Sequence, residues 1–223
     1  MKIVCVSASN TQLPDNKSTS IAVCYLIKEI IHHDINEETI VDVVALRDYH
    51  LKSCILCGAC FEKGDCIYDE DFNHLLKQLE DAQGIFLVVP HYSPIPAKLM
   101  MALEKVNEIT YTAWLNDPNY QSPFYNKPVG IIGHGGMVES EANLSYYHDH
   151  LVTPVANTLK SLSFNVVRPN EVFENGITFG LKDESCLKKV ENEVFPDIIQ
   201  DWQMIEERIK PLITNVRKVI EME

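Results

Sequence analysis

Lys2-Ile3-Val4-Cys5-Val6-Ser7-Ala8-Ser9-Asn10-Thr11 opens with a short β-branched apolar run that stops abruptly in hydroxyls. A run of this length without polar alternation reads as a parallel strand buried on both faces. It is apolar only as far as Ser7, so it reads as a first strand and not as a signal peptide. The polar loop continues through Leu13-Pro14-Asp15-Asn16-Lys17 to Ser18-Thr19-Ser20, whose last hydroxyls are placed to cap a helix. That helix has apolar positions from Ile21 to Ile31 and ends at His33-Asp34. It is apolar nearly all round, which predicts burial on two sides.

The same alternation repeats downstream. Thr39 to Leu46 reads as strand two, and a packing helix follows with Phe72, Leu75, Leu76, Leu79 and Ala82 on one face, stopped at Gly84. Ile85 to Val89 reads as a buried third strand. It runs into Pro90-His91-Tyr92-Ser93-Pro94-Ile95-Pro96 and a helix carrying Leu99, Leu103 and Val106, with Pro96 in its first turn. Residues 110–126 read as an irregular, aromatic-rich excursion with Tyr111, Trp114, Tyr120, Phe124 and Tyr125, either a satellite core or a lid or subunit contact. Val129-Gly130-Ile131-Ile132 reads as strand four, leading into a Gly133-His134-Gly135-Gly136 loop. A long helix through Leu144, Tyr147, Leu151, Val155, Leu159 and Leu162 is expected to kink at Pro154. Phe164 to Val167 is strand five. A connection through Asn175-Gly176 and Phe179-Gly180 then reaches helices with Ile198, Trp202, Ile205, Ile209, Leu212 and Val216, bent at Pro211.

Strands alternating with helices five times predict an α/β fold: a doubly wound, five-stranded parallel sheet covered on both faces, in the flavodoxin-like order 2-1-3-4-5. With no repeat or long linker, residues 1–223 are expected to form one domain, with a four-cysteine loop at 54–66 and a helical C-terminal extension from about residue 186. A formal charge of −13, from 19 basic and 32 acidic side chains, argues against nucleic-acid or anionic-membrane surfaces, which need basic patches.

Of seven cysteines, four lie in Cys54-Ile55-Leu56-Cys57-Gly58-Ala59-Cys60-Phe61-Glu62-Lys63-Gly64-Asp65-Cys66. Their spacing brings three sulfurs within reach of one centre, and the fourth can close it. Soft thiolates at this density suit a [4Fe–4S] cluster, with zinc, redox thiols or an empty loop as alternatives. Clustered thiols without an export signal imply a reducing, cytoplasmic setting. Cys5, Cys24 and Cys186 read as core or stray thiols, and His32, His33, His148 and His150 as surface residues on helices.

In the predicted topology, ligands bind outside the carboxyl ends of strands one and three. One end offers a hydroxyl-rich anion cradle before a helix N-terminus, with neither a P-loop nor a G-x-G-x-x-G pattern, which suits a single phosphate held without a cation. The other offers a proline-braced wall bearing Tyr92. Together these describe a site for FMN. A phosphorylation domain of the same fold needs acidic residues where this chain has Ser7 and Pro90.

Ser7-x-Ser9, Asn16-Lys17-Ser18-Thr19, the four cysteines, Pro90-x-Tyr92, Ala97-x-Leu99 and Gly133-His134-Gly135-Gly136, in this order, resemble iron–sulfur flavoproteins of the NADPH-dependent FMN reductase group, over about the first 165 residues. The resemblance implies that Ser7, Ser9, Ser18 and Thr19 hold the FMN phosphate, with Asn10 in the same loop. Pro90, His91, Tyr92 and Ser93 would line the isoalloxazine together with Gly135 and Gly136, beside Gly133 and His134. Cys54, Cys57, Cys60 and Cys66 would carry a [4Fe–4S] cluster, and the chain would form a homodimer or homotetramer. Ser9 departs from the arginine of many relatives, and Ser93-Pro94-Ile95-Pro96 from an aromatic and a glycine. The implied activity is FMN-dependent NAD(P)H oxidation, with electrons leaving to a small-molecule acceptor or redox protein. His91 and His134 are candidate proton donors, and backbone N–H groups at 133–136 would stabilise the reduced flavin. The rival functions are a non-catalytic electron carrier and a thiol- or zinc-based redox sensor.

Overall fold

The computed structural model describes residues 1–12, 18–34, 38–181 and 201–222. Strand β1 (Lys2–Ser7) is central, with β2 (Ile40–Ala45) on one side and β3 (Gly84–Pro90) on the other. Strand β4 (Pro128–Val138) follows β3, and every pairing is parallel. The order β2-β1-β3-β4-β5 is flavodoxin-like.

Side chains of β1 alternate between two cores. Val4 and Val6 face the layer of α3 (Glu70–Asp81), α4 (Ala97–Asn116) and α6 (Thr153–Ser161). Ile3 and Cys5 face α1 (Thr19–Asp34) and α7 (Trp202–Met222). This period of two, buried on both sides, is why the strand lacks polar alternation. Helix α1 buries Ile21, Val23, Cys24, Ile27, Ile30 and Ile31, while Tyr25 is exposed. Helix α7 contributes Ile205, Ile209, Leu212, Ile213 and Val216 to the same core and continues through Pro211. Ile198 and Cys186 lie outside the described residues.

The fifth strand position is split, where the sequence suggested one strand. Strand β5 (Asn165–Val166) pairs only with Pro128 and Val129. Pro169 has no N–H to continue a ladder, and Arg168 and Asn170 close the chain on itself, Asn170 Oδ1 accepting from the N–H groups of Val172 and Phe173 at 2.9 Å each. The chain returns through Gly176, at φ 151°, into β6 (Ile177–Leu181), which pairs with the upper half of β4.

Three further expectations are corrected. Residues 133–136 form no loop but continue β4: Gly133 and His134 pair with β3 on one side and β6 on the other, and the pairing with β6 resumes at Val138. Tyr111 and Trp114 belong to α4, which runs unbroken until Asp117, the residue before Pro118 and so disfavoured in a helix. The long helix is not one continuous α-helix: it comprises α5 (Glu141–Tyr147), a π-helical turn (His148–Val152) and α6, with Pro154 in the first turn of α6.

Asp69, at the N-terminus of α3, forms a buried ion pair with Lys105 of α4 and also accepts from Phe72 N at 3.0 Å and Lys52 N at 2.7 Å. Burial opposes the carboxylate charge, but the bonds from Lys105, Lys52 and Phe72 outweigh it and hold its pKa below the usual range. The lowered pKa gives Asp69 a stabilising contribution that is complete above the ordinary carboxylate pKa and fades as the pH falls below it. Asp69→Ala strands the buried Lys105 and is expected to cost about 3–5 kcal/mol in urea unfolding at neutral pH, with a smaller difference near pH 3.

Candidate functional site

The carboxyl ends of β1 and β3 and the upper part of β4 lie side by side at one edge. Ser7 of β1 pairs with Val88 of β3, and Pro90 of β3 pairs with His134 of β4. Ala8 N donates to Val88 O at 2.9 Å and His91 N to His134 O at 2.7 Å, so the ladders extend into the first residue of each loop. Side chains tie the loops together. Ser9 Oγ lies 3.1 Å from Tyr92 Oη, and Ser20 Oγ lies 2.7 Å from His134 Nε2. The first loop, the start of α1, the turn after β3 and the upper part of β4 therefore meet.

Ser18 sits at the N-cap position, its carbonyl accepting the Ala22 N–H at 2.9 Å. Its hydroxyl does not cap the helix as expected. The Oγ atoms of Ser7 and Ser18 are both buried and have no hydrogen-bond partner. An orphaned buried hydroxyl costs about 1–3 kcal/mol. Two at one strand end and one helix N-terminus match the donor set for a phosphate monoester. Thr19 begins α1, Asn10 is exposed, and Asn16 and Lys17 lie outside the described residues.

Tyr92 is half-exposed, and Ser93 holds a left-handed φ of 52°. Such strain in a non-glycine residue clusters at ligand clamps. The His91 ring lies against Tyr146 and Tyr147, 5.4 Å from each centroid, with Nε2 buried and unpartnered. Burial, and then the nearby His150, lower its pKa, which favours the neutral imidazole. Met137 N donates to Tyr147 Oη at 2.8 Å, while Gly135 packs directly on that phenol. A side chain at Gly133 would meet Val152, whereas Gly136 borders open space. Within 133–136, Gly136 is therefore the position with room for a ring beside it.

His134 is buried, and its ring stacks on Phe179 with centroids 5.2 Å apart. Burial lowers its pKa to about 4, so it is neutral at physiological pH and supplies no imidazolium proton. His148 is half-buried and not on the open surface as expected. Cys5 and Cys24 are fully buried, and burial pushes both thiols up, so they are core residues.

The four-cysteine loop lies on α4. Lys98 clamps its approach by donating to the carbonyls of Leu46, Arg47 and Tyr49 at 3.0, 2.9 and 2.7 Å. Asn73 holds both backbone groups of Cys66, and Cys54 N donates to Glu104 Oε2 at 3.3 Å. Leu56, at φ 51°, and Gly58, at φ 73°, bend the loop. Cys54, Cys57, Cys60 and Cys66 all line one cavity of about 250 Å³, floored by Asp69, Lys105 and Ile109. The thiol donors suit a soft metal, yet among the described residues no three His, Cys, Asp or Glu side chains converge as a metal site.

The sequence profile of the NADPH-dependent FMN reductase family matches residues 1–172. The chain belongs to this family. An iron–sulfur flavoprotein of Methanocaldococcus jannaschii is 28% identical over 106 residues, covering 47% of this chain and 51% of that protein. One from Archaeoglobus fulgidus is 27% identical over 94 residues, 41% of each chain. The alignments thus span about half or less of these curated relatives. Among solved structures, RosB with a bound 8-demethyl-8-formylriboflavin-5'-phosphate intermediate superposes with a TM-score of 0.58 at 16% identity, over 100% of this chain and 79% of that one. An FMN-dependent NADH-azoreductase from Bacillus anthracis in complex with FMN gives 0.57 at 14%, over 99% and 100%. At these identities the likeness establishes the fold.

The sequence reading overlooked Tyr146 and Tyr147, which lie against His91. Finding them needed the π-turn, which periodicity does not reveal.

His134 stays neutral when folded but titrates near 6.5 when unfolded. Stability from its burial is complete above about pH 6.5 and falls by about 3 kcal/mol as the pH drops towards 4. His134→Phe should flatten this part of the stability–pH curve in denaturant titrations.

Proposed function

We propose that the chain is an FMN-dependent NAD(P)H oxidoreductase of the flavin- or quinone-reductase type, with FMN at the shared edge of β1, β3 and β4. The observation that carries this reading is the pair of buried, unpartnered hydroxyls of Ser7 and Ser18 beside the loop bearing Tyr92. Bound there, FMN supplies the two-electron chemistry between a nicotinamide and an acceptor. The protein's residues bind and orient. Ser7 and Ser18, with Thr19 at the head of α1, take the phosphate, and the dipole of α1 favours its charge. The 91–93 turn forms a wall for the ring, and the open side of Gly136 leaves room for its edge. His91 Nε2 is a neutral group available to the ring or to a substrate.

A finer reading adds a [4Fe–4S] cluster on Cys54, Cys57, Cys60 and Cys66, supported by their spacing, their common cavity and the likeness to the two iron–sulfur flavoproteins. Binding requires the loop to draw the sulfurs together. A homo-oligomer also belongs to this reading, supported by exposed Tyr111, Trp114 and Leu115 on α4. Sedimentation of the purified protein tests it, and a monomer at micromolar concentration would refute it.

Anaerobically purified protein is expected to show flavin absorption bands and to oxidise NAD(P)H with a quinone or ferricyanide. Binding without turnover would instead identify an electron carrier, and a colourless protein that takes up no FMN would sink the flavin reading altogether. Ser18→Asp, which opposes phosphate with a carboxylate, should weaken FMN binding at least tenfold and riboflavin binding much less. Iron and sulfide assays on the same sample should give about four of each per chain if the cluster forms.

A further inference from the structure

We propose that the buried Asp69–Lys105 pair positions the four-cysteine loop to hold its cluster, an inference that rests on the [4Fe–4S] reading above. The pair lies on the floor of the cavity that Cys54, Cys57, Cys60 and Cys66 line, and its two side chains are 1% and 3% exposed. Asp69 stands where the loop ends and α3 begins, and its Oδ1 caps that helix by accepting from Phe72 N at 3.0 Å. Its Oδ2 accepts from Lys105 Nζ on α4 and, at 2.7 Å, from the N–H of Lys52, where the loop begins. Lys52 reinforces the closure, its Nζ donating to Tyr68 O at 2.8 Å. One carboxylate thus gathers both stems of the loop onto two helices.

The outer cysteines hang from the same two helices. Asn73, in the first turn of α3, holds the N–H and the carbonyl of Cys66 at 2.9 and 2.8 Å. Glu104, next to Lys105 on α4, accepts from Cys54 N at 3.3 Å. Asp69 lies one helical turn from Asn73, whose N–H donates to its carbonyl at 3.2 Å. The bond between Asp69 and Lys105 therefore governs the spacing of the two anchors, and with it that of Cys66 and Cys54. Its charges match, so the effect is one of geometry and not of field. Desolvation offsets most of the attraction in a buried pair, but an ammonium and a carboxylate in an apolar interior accept only a narrow set of arrangements. Gathering four sulfurs onto one cluster orders the loop, and that ordering opposes binding. Clasped stems and anchored outer cysteines leave less ordering to be done when iron arrives.

The test reconstitutes the whole chain anaerobically with ferrous iron and sulfide, then follows iron release to a ferrous chelator, with FMN affinity and urea unfolding measured alongside. Asp69→Ser/Lys105→Met removes the clasp without stranding a charge. Serine still caps α3 but is too short to reach Lys52 N, and methionine replaces the lysine stem. This variant should release iron about tenfold faster or more, while FMN affinity stays within about twofold and the urea transition remains cooperative. If it does not fold, Lys52→Pro carries the test. That variant keeps the buried pair and removes the N–H that Asp69 holds, and release should quicken by about fivefold, the worth of one hydrogen bond. Unchanged iron release in the folded variant would overturn the proposal. So would iron and FMN lost in parallel, which would make the pair a general brace of the fold. A wild type that retains no iron would instead overturn the cluster reading, and leave the flavin reading standing if FMN still binds.

Discussion

Everything at the edge of the sheet depends on three parallel strands held in register. Parallel pairing forces each connection to cross over the sheet and return, so every loop leaving a carboxyl end emerges on the same side. With Ser7 beside Val88 and Pro90 beside His134, loops more than eighty residues apart in sequence arrive within hydrogen-bonding distance. The hydrogen bonds of Ser9 to Tyr92 and Ser20 to His134 follow from that register. A slip of one residue would turn every side chain on a strand to the opposite face and exchange the two cores.

The repeating strand–helix pattern made most of the fold legible in the sequence. Strands β1, β3 and the start of β4 are continuous apolar runs, and α1 and α3 carry clear apolar faces, because these elements are buried by their own composition. Legibility failed where tertiary pairing overrode local preference. Gly133 to Gly136 resembles a flexible loop in isolation, and Asn175-Gly176 with Gly180 resembles a turn. Pairing of Gly133 and His134 on both sides, resumed with β6 at Val138, makes the first an extension of β4, and pairing with β4 makes Ile177–Leu181 a strand. The end of α4 is marked by Asp117-Pro118, inside an aromatic-rich stretch whose pattern reads as irregular.

The candidate site was legible to a similar degree. Hydroxyl spacing at Ser7, Ser9 and Ser18 pointed to the cradle, where the Ser7 and Ser18 hydroxyls stand buried and without a hydrogen-bond partner. Whether His134 is a structural histidine or a proton donor was not legible, since its surroundings, Phe179 and Ser20, are neither of them near in sequence.

The π-helical turn at His148–Val152 constrains length more than composition. An α-helix advances about 100° per residue, and the wider turn absorbs one extra residue without breaking the chain. Tyr147 can therefore point at Gly135 and Met137 while Val155 and Leu159 still face the sheet. Removing a single residue from this span would restore an even spiral and swing the phenol off β4 by roughly a third of a revolution. Relatives that share this wall around His91 are thus bound to keep the same residue count here, whatever side chains they carry.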